Sequence, residues 1–278
     1  MPSKNSVRLG PVQETMLIPL LARALESRRR SPIVSDPKAI RIADSIDWDF
    51  SRFTQRPRVL ACVLRTAIFD QWVRDFLQRH PAGTVVEIGA GLSSRFERLD
   101  NRTARWFDLD LPDAVALRHR YFRDSERHVT IVGSVLDSAW MEAVQRTPGP
   151  YLLLAEAVFV YLREPEVRAA LAGIAAGFPG AAVAFDTASL AAIAGGNRDF
   201  ARHHAPARFS WACDDPRTVE AWNIGLRLVE SRTLAEVGGP ARTLLSLPLR
   251  ASLAILGALF PRQMGAYRIN LFEAGPPL

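Results

Sequence analysis

Thr84-Val85-Val86-Glu87-Ile88-Gly89-Ala90-Gly91-Leu92 decides how this chain is read. An apolar run carrying one acid breaks off at two glycines separated by a single residue. Runs that are apolar on both faces belong to strands buried in a parallel sheet. The glycines free the backbone for a tight turn into a helix and for close approach to a ligand. A second apolar run, Ala104–Leu109, stops at Asp110, roughly twenty residues on. Strand, glycine turn, helix, then a carboxylate at the tip of the next strand is the layout of a nucleoside-cofactor site, with the acid suited to a pair of ribose hydroxyls. Gly89-Ala90-Gly91-Leu92-Ser93-Ser94 lacks the third glycine of a dinucleotide fingerprint. That disfavours an NAD(P)-dependent oxidoreductase, which stays as the alternative. A methionine-derived sulfonium cofactor has no pyrophosphate to cradle, and Glu87 just before the glycines suits it better.

Outward from this stretch the chain alternates. Strands are predicted near 84–89, 104–110, 128–133, 151–156 and 181–186, with helices near 112–123, 138–146 and 164–177 between them. A helix near 216–224, a strand near 226–231, a helical stretch over 240–260 and a strand near 266–273 complete the series. Such alternation makes an α/β fold, a doubly wound and mostly parallel sheet with helices on both faces. Ligands then bind beyond the carboxyl ends of the strands, where the winding reverses. Glu87, Asp110, Ser134, Asp137 and Glu156 all fall at or just after strand ends, so the polar tips converge. Before the sheet, helices are expected over 11–30 and 57–79, separated by a turn-rich break at Ser31–Pro37. Pro19 must sit in the first turn of the earlier helix or kink it. Residues 1–80 thus form an N-terminal helical cap and 81–278 the core. Within the core, the segment at about 188–215 interrupts the alternation with Gly195-Gly196-Asn197 and Arg202-His203-His204. A connection of that length reads as a lid or binding loop.

Composition narrows the classes. The net charge is +6, and only Lys4 and Lys38 are lysines, so the basicity is arginine scattered along the chain. Apart from Arg28–Arg30 there is no massed basic segment, which argues against a nucleic-acid groove. Cys62 and Cys213 are too few for a disulfide framework or a cysteine zinc site, and no histidine-carboxylate cluster has metal spacing. Pro2–Arg8 lacks the apolar core of a secretory signal, and Ala251–Phe260 is about half of a membrane span. A cytoplasmic chain with no membrane partner is the expectation, and the sequence sets no oligomeric state.

Several blocks carry a resemblance. Val-Val-Glu-Ile-Gly-Ala-Gly-Leu (85–92), Arg-Trp-Phe-Asp-Leu-Asp-Leu-Pro (105–112) and Leu-Leu-Ala-Glu-Ala-Val-Phe-Val-Tyr-Leu (153–162) are similar to the leucine carboxyl methyltransferase family, nearest its bacterial tetracenomycin-type O-methyltransferase branch. Glu-Thr-Met-Leu-Ile-Pro-Leu-Leu-Ala-Arg-Ala-Leu-Glu (14–26), Asp36-Pro37 and the Trp211 to Trp222 region extend it. The resemblance implies a class I methyltransferase (Rossmann-like) fold of seven strands and the cofactor S-adenosylmethionine. It implies that Arg65 grips the methionine carboxylate, Gly89 and Gly91 line the cofactor, and Asp110 holds the ribose. Ser134 and Val135 would surround the adenine with Asp137 beyond, and Glu156 would pair with the methionine ammonium. Residue chemistry leaves alternatives at each position. Arg65 can be a solvated helix arginine, Asp110 and Asp137 can cap the following helices, and Glu156 can be paired with a structural arginine.

Around the acceptor, Tyr161, His204 and Trp211 are candidates for substrate binding, and His203, His204 and Tyr161 for catalysis. Tyr161 can equally pack on a helix, and loop histidines are commonly solvated. No dedicated base is evident. A carboxylic acid ionised at neutral pH needs none, whereas a phenol with a pKa of about 10 benefits from one, so the sequence tilts towards a carboxylate acceptor. The expected activity is methylation of a small molecule, a polyketide-like or other secondary metabolite. Protein carboxyl methylation and a catalytically idle cofactor-binding scaffold are the other readings. The acceptor pocket is expected between the helical cap, the 188–215 segment and the 240–260 stretch.

Overall fold

The computed structural model describes residues 9–275 together with the backbone of Asn5–Ser6. Of the Pro2–Arg8 stretch, all but those two positions lie outside the described residues. Seven strands form one sheet: β1 (Thr84–Ile88), β2 (Arg105–Asp110), β3 (His128–Val132), β4 (Tyr151–Ala155), β5 (Ala182–Ala188), β6 (Leu226–Thr233) and β7 (Tyr267–Ala274). Their order is β3-β2-β1-β4-β5-β7-β6; β7 alone runs antiparallel to the other six. β1 pairs in parallel with both β2 and β4, Ile88 standing level with Leu109 and Ala155. The winding therefore reverses beside β1, and the strand tips that follow Ile88, Leu109 and Ala155 open on one crevice.

Each face of the sheet is buried by side chains of alternate parity. Val86, Leu109, Leu153 and Phe185 pack under α6 (Ala139–Gln145) and α7 (Glu164–Gly177). Val85, Trp106, Leu154 and Ile269 pack under the long α3 (Arg56–Arg79). Every residue of β1 is buried, the condition for a run with no polar alternation. Ahead of α3 lie α1 (Leu17–Ser27) and α2 (Pro37–Ser45). Pro19 falls in the first turn of α1, where its missing N–H costs no helix bond. The Asp36 side chain caps α2 by accepting from Ala39 N at 2.9 Å, and Pro37 opens the helix. This helix is absent from the elements the sequence predicts, although Asp36-Pro37 is a start signal.

The cap is fastened to the glycine turn, not merely laid on it. Arg23 Nε donates to Asp36 at 2.9 Å and Arg23 Nη2 to the Leu92 carbonyl at 2.8 Å, while Ser94 Oγ donates to Asp36 at 2.6 Å. Near the sheet's other end, one segment departs from the sequence reading and a second is helical as expected. The first half of the 188–215 segment is a helix, α8 spanning Leu190–Arg202 straight through Gly195-Gly196. Ser189 caps it by accepting from Ala192 N at 3.2 Å, and Ile193 and Phe200 bury its inner face. The 240–260 stretch is two helices, Gly239–Leu244 and Leu247–Leu259; in the second only Leu253 is buried. No helix among the described residues is long and apolar enough to cross a membrane.

Candidate functional site

Beyond the tips of β1, β2 and β4 lies a cavity of about 420 Å³, within the roughly 300–1,000 Å³ typical of small-molecule sites. Its floor is the glycine turn. Gly89 and Gly91 have φ of +64° and +50°, the left-handed region in which a side chain is strained. Space forbids one as well: a Cβ on Gly89 would stand 2.5 Å from Val158 Cγ2. Asp110 closes this end. Its Oδ2 accepts from Gly91 N at 2.6 Å and its Oδ1 from Leu111 N at 2.7 Å. An ionised carboxylate has about four acceptor positions, so two backbone amides leave each oxygen able to take another donor. Burial pushes the Asp110 carboxyl up from its ordinary range, and the two amides do not offset it.

Glu156, one residue past β4, ends the other side of the cavity under a different regime. Arg65 Nε donates to its Oε1 at 2.8 Å, Thr66 Oγ1 donates to the same oxygen at 3.1 Å, and Arg95 Nη2 donates to Oε2. Burial alone would raise this carboxyl, but Arg65 and Arg95 outweigh it and hold Glu156 at about 2. Arg95 is 1% exposed and also serves Asp70, at 2.8 Å through Nε, and Glu87 through Nη1. Arg98 joins Asp70 from the next turn of the same short helix, α4 (Arg95–Leu99). Among the described residues, Arg95 supplies the only hydrogen bond to the Glu87 carboxylate. A buried acid in the middle of an apolar strand therefore reports a buried cation elsewhere. That cation follows directly on Ser93-Ser94, and the sequence reading did not single it out. The acids Asp70, Glu87 and Glu156 at apolar positions were the signal that could have found it.

The remainder of the cavity is walled by the cap and by α8. Met16, Ile18 and Pro19 come from the cap, Phe200 from α8, and Phe209 from the chain after it. The Tyr161 ring lies 5.0 Å from that of Phe209, and its hydroxyl donates to Thr15 Oγ1 at 3.0 Å. Burial pushes this hydroxyl up to about 12. Arg58 and Asp199 both line the wall, and Arg58 Nη2 donates to Asp199 across from α3 to α8.

Set against the sequence expectations, Arg65, Glu87, Gly89, Gly91, Asp110, Ser134, Val135, Glu156 and Tyr161 all line this one cavity. The methionine-ammonium role imagined for Glu156 meets a carboxylate already flanked by arginines, the structural alternative raised for it. Four expected residues lie outside the lining. Asp137 turns back on its own loop, accepting from Ser134 N at 3.2 Å. Trp211 is 2% exposed in the core beside Phe185 and Trp222, so it supports the sheet and does not face an acceptor. His203 ends α8 with its ring beside Phe53 and Nε2 3.6 Å from Asp199, and His204 follows at φ +51°. Both histidines are carried past the cavity because the helix continues where a loop was expected. The 240–260 stretch contributes nothing to the lining; it packs on the outer side of α3. Among the described residues no group of three or more His, Cys, Asp or Glu is placed to hold a metal ion.

Comparison with known proteins adds an independent line. Residues 16–175 match the leucine carboxyl methyltransferase family. The tetracenomycin polyketide synthesis O-methyltransferase TcmP of Streptomyces glaucescens is 33% identical over 239 residues, 84% of this chain and 86% of the relative. The S-adenosyl-L-methionine-dependent methyltransferase dpfgK of Gibberella zeae is 27% identical over 250 residues, 82% of this chain and 84% of the relative. Among solved structures, a duf574 family protein from Streptomyces avermitilis superposes with a TM-score of 0.56 at 13% identity, covering 92% of this chain and 97% of that one.

Proposed function

Because this chain belongs to the leucine carboxyl methyltransferase family, we propose that its cavity takes S-adenosylmethionine across the tips of β1, β2 and β4 and a small methyl acceptor beneath α8. The chain is an S-adenosylmethionine-dependent O-methyltransferase. One observation carries the placement: a single cavity has an under-committed carboxylate, Asp110, at one end and a guanidinium–carboxylate pair, Arg65–Glu156, at the other. The parts of the cofactor fit these groups. Ribose hydroxyls can donate to the open positions on Asp110. The methionine end is a zwitterion, and the Arg65–Glu156 pair is its complement. Arg65 has five N–H donors, and Glu156 and Tyr267 take one each, leaving three for a carboxylate. Ser134 and Val135, just past the tip of β3, stand on the adenine side.

When bound, the cofactor supplies a methyl group on a sulfonium. The chain's own contribution is alignment and exclusion of water, from the apolar wall of Ile18, Phe200 and Phe209. No histidine lines the cavity among the described residues. Tyr161 keeps its proton at neutral pH, and Glu156, ionised and clasped by two arginines, is a poor base. An acceptor that arrives already ionised fits such a site better than a phenol, with Arg58 as the cation it would meet on the wall. We therefore assign a carboxylate acceptor, with small-molecule scaffolds of the aromatic polyketide kind favoured by the aromatic wall.

Titration calorimetry with S-adenosylhomocysteine and with NADH tests the cofactor, and selective nicotinamide binding would end the reading. Transfer of labelled methyl from S-adenosylmethionine to a panel of aromatic carboxylic acids and phenols tests the acceptor. Turnover confined to phenols would reverse the carboxylate assignment.

A further inference from the structure

Asp186 and Tyr267 lie outside the cavity lining, yet each grips something inside it. Asp186, near the end of β5, is 1% exposed. Tyr267 opens β7, two register positions away on the neighbouring antiparallel strand, opposite Ala188. Tyr267 Oη donates to Asp186 Oδ2 and accepts from Arg65 Nη1 at 3.2 Å. Asp186 Oδ1 accepts from Ala157 N at 2.6 Å. Ala157 lines the cavity between Glu156 and Val158 with φ of +56°, a conformation a non-glycine residue holds only when its surroundings enforce it. One carboxylate thus fixes two separate pieces of the methionine end, the α3 arginine through the tyrosine and the turn after β4 directly.

Arginine is long and samples many rotamers, so a guanidinium anchored at one nitrogen still swings. Glu156 at Nε and Tyr267 at Nη1 are anchors on different nitrogens, which set the plane of the group. The carboxylate behind the phenol polarises its O–H and makes the oxygen a better acceptor for the arginine. We propose that Asp186 and Tyr267 are positioning residues for the methionine half of the cofactor, aiming Arg65 and the Glu156–Ala157 turn without touching the ligand themselves. The proposal rests on the cofactor placement given above.

The test uses two ligands that share adenosine and a thioether but differ in the amino-acid group: S-adenosylhomocysteine and 5′-methylthioadenosine. Calorimetry on the whole protein gives both affinities, with thermal melting alongside. Tyr267→Phe lowers affinity for S-adenosylhomocysteine on the order of tenfold, the cost of a lost bond to a charged group, and leaves 5′-methylthioadenosine within about twofold. Asp186→Asn shows the same selectivity with a larger loss, because both grips loosen. In an Arg65→Met background, Tyr267→Phe costs nothing more, the signature of action through the arginine. Equal weakening of both ligands, no change in either, or an additive loss in the Arg65→Met background overturns the proposal. Wild-type protein that binds neither ligand removes the cofactor placement itself, and the proposal falls with it.

Discussion

Asp110 and Glu156 occupy equivalent places, each at the tip of a parallel strand beside β1, and their surroundings are opposites. Among the described residues, only two backbone amides donate to the Asp110 carboxylate, which keeps open acceptor positions towards the cavity. Glu156 is met by two guanidinium groups and a hydroxyl, and is held far down its titration. On the cofactor placement proposed above, the first would receive neutral hydroxyls, which need an acceptor and not a field. The second is half of an ion pair ready to be answered by an opposed ion pair. Strand position alone sets neither role; the partners do.

The comparison breaks first at Arg95. Arg95→Met strips a partner from Glu87, Asp70 and Glu156 at once, while Asp70 keeps Arg98 and Glu156 keeps Arg65. Glu87, 4% exposed, keeps none among the described residues. Removing one partner of a buried pair costs on the order of 3–5 kcal/mol, so the variant loses at least that much in urea unfolding or fails to fold. A loss under about 1 kcal/mol, the scale of an exposed pair, would mean that the methionine end is solvated and unlike the network described. Next, Glu156→Gln weakens S-adenosylhomocysteine more than tenfold, the scale of a charge-assisted contact, measured by calorimetry. Near-normal affinity there would remove Glu156 from the methionine end. Asp110→Asn, at the proposed ribose end, weakens S-adenosylhomocysteine and 5′-methylthioadenosine alike by roughly fivefold, the scale of one ordinary hydrogen bond, because asparagine keeps one acceptor oxygen. If only S-adenosylhomocysteine suffers, the two ends have been assigned the wrong way round.

The glycine-turn end of the cavity is also the part whose geometry sequence could deliver. Gly89, Gly91 and Asp110 act through backbone geometry and through where a strand stops, and both leave marks in a linear pattern. The seven strands follow from apolar runs whose lengths and spacing are local properties. The Glu156 end depends on a cation, Arg95, that reaches three acids far apart in the chain, Asp70, Glu87 and Glu156. No spacing rule links them, and only the sum of buried charge hints at it. The α8 side of the cavity was least readable. Gly195-Gly196 reads as a break, but the Ser189 cap and the burial of Ile193 and Phe200 carry α8 through both glycines. Tertiary packing outweighs the propensity cost of about 1 kcal/mol per glycine. That one difference moves His203 and His204 off the cavity, and Trp211, polar-edged and aromatic, sits in the core because its neighbours Phe185 and Trp222 are there.

The smallest effect, and the one that separates the two carboxylates by sign, is the pH dependence of stability. Glu156 falls from an ordinary 4.5 to about 2 on folding. A depressed folded value means the unfolded chain binds the proton more tightly, so its contribution is full above about 4.5 and is lost as the pH falls towards 2. The advantage of wild type over Glu156→Gln in urea therefore shrinks across that window. Asp110 is shifted the other way by burial. Its folded form holds the proton more tightly, so acid favours the folded wild type, and the balance between wild type and Asp110→Asn moves towards wild type as the pH falls through the Asp110 transition. Urea midpoints for the three proteins between pH 6 and pH 3 give two slopes of opposite sign. Slopes of the same sign would mean that both tips are governed by cations, and the distinction between a hydroxyl receptor and an ion-pair receptor would dissolve.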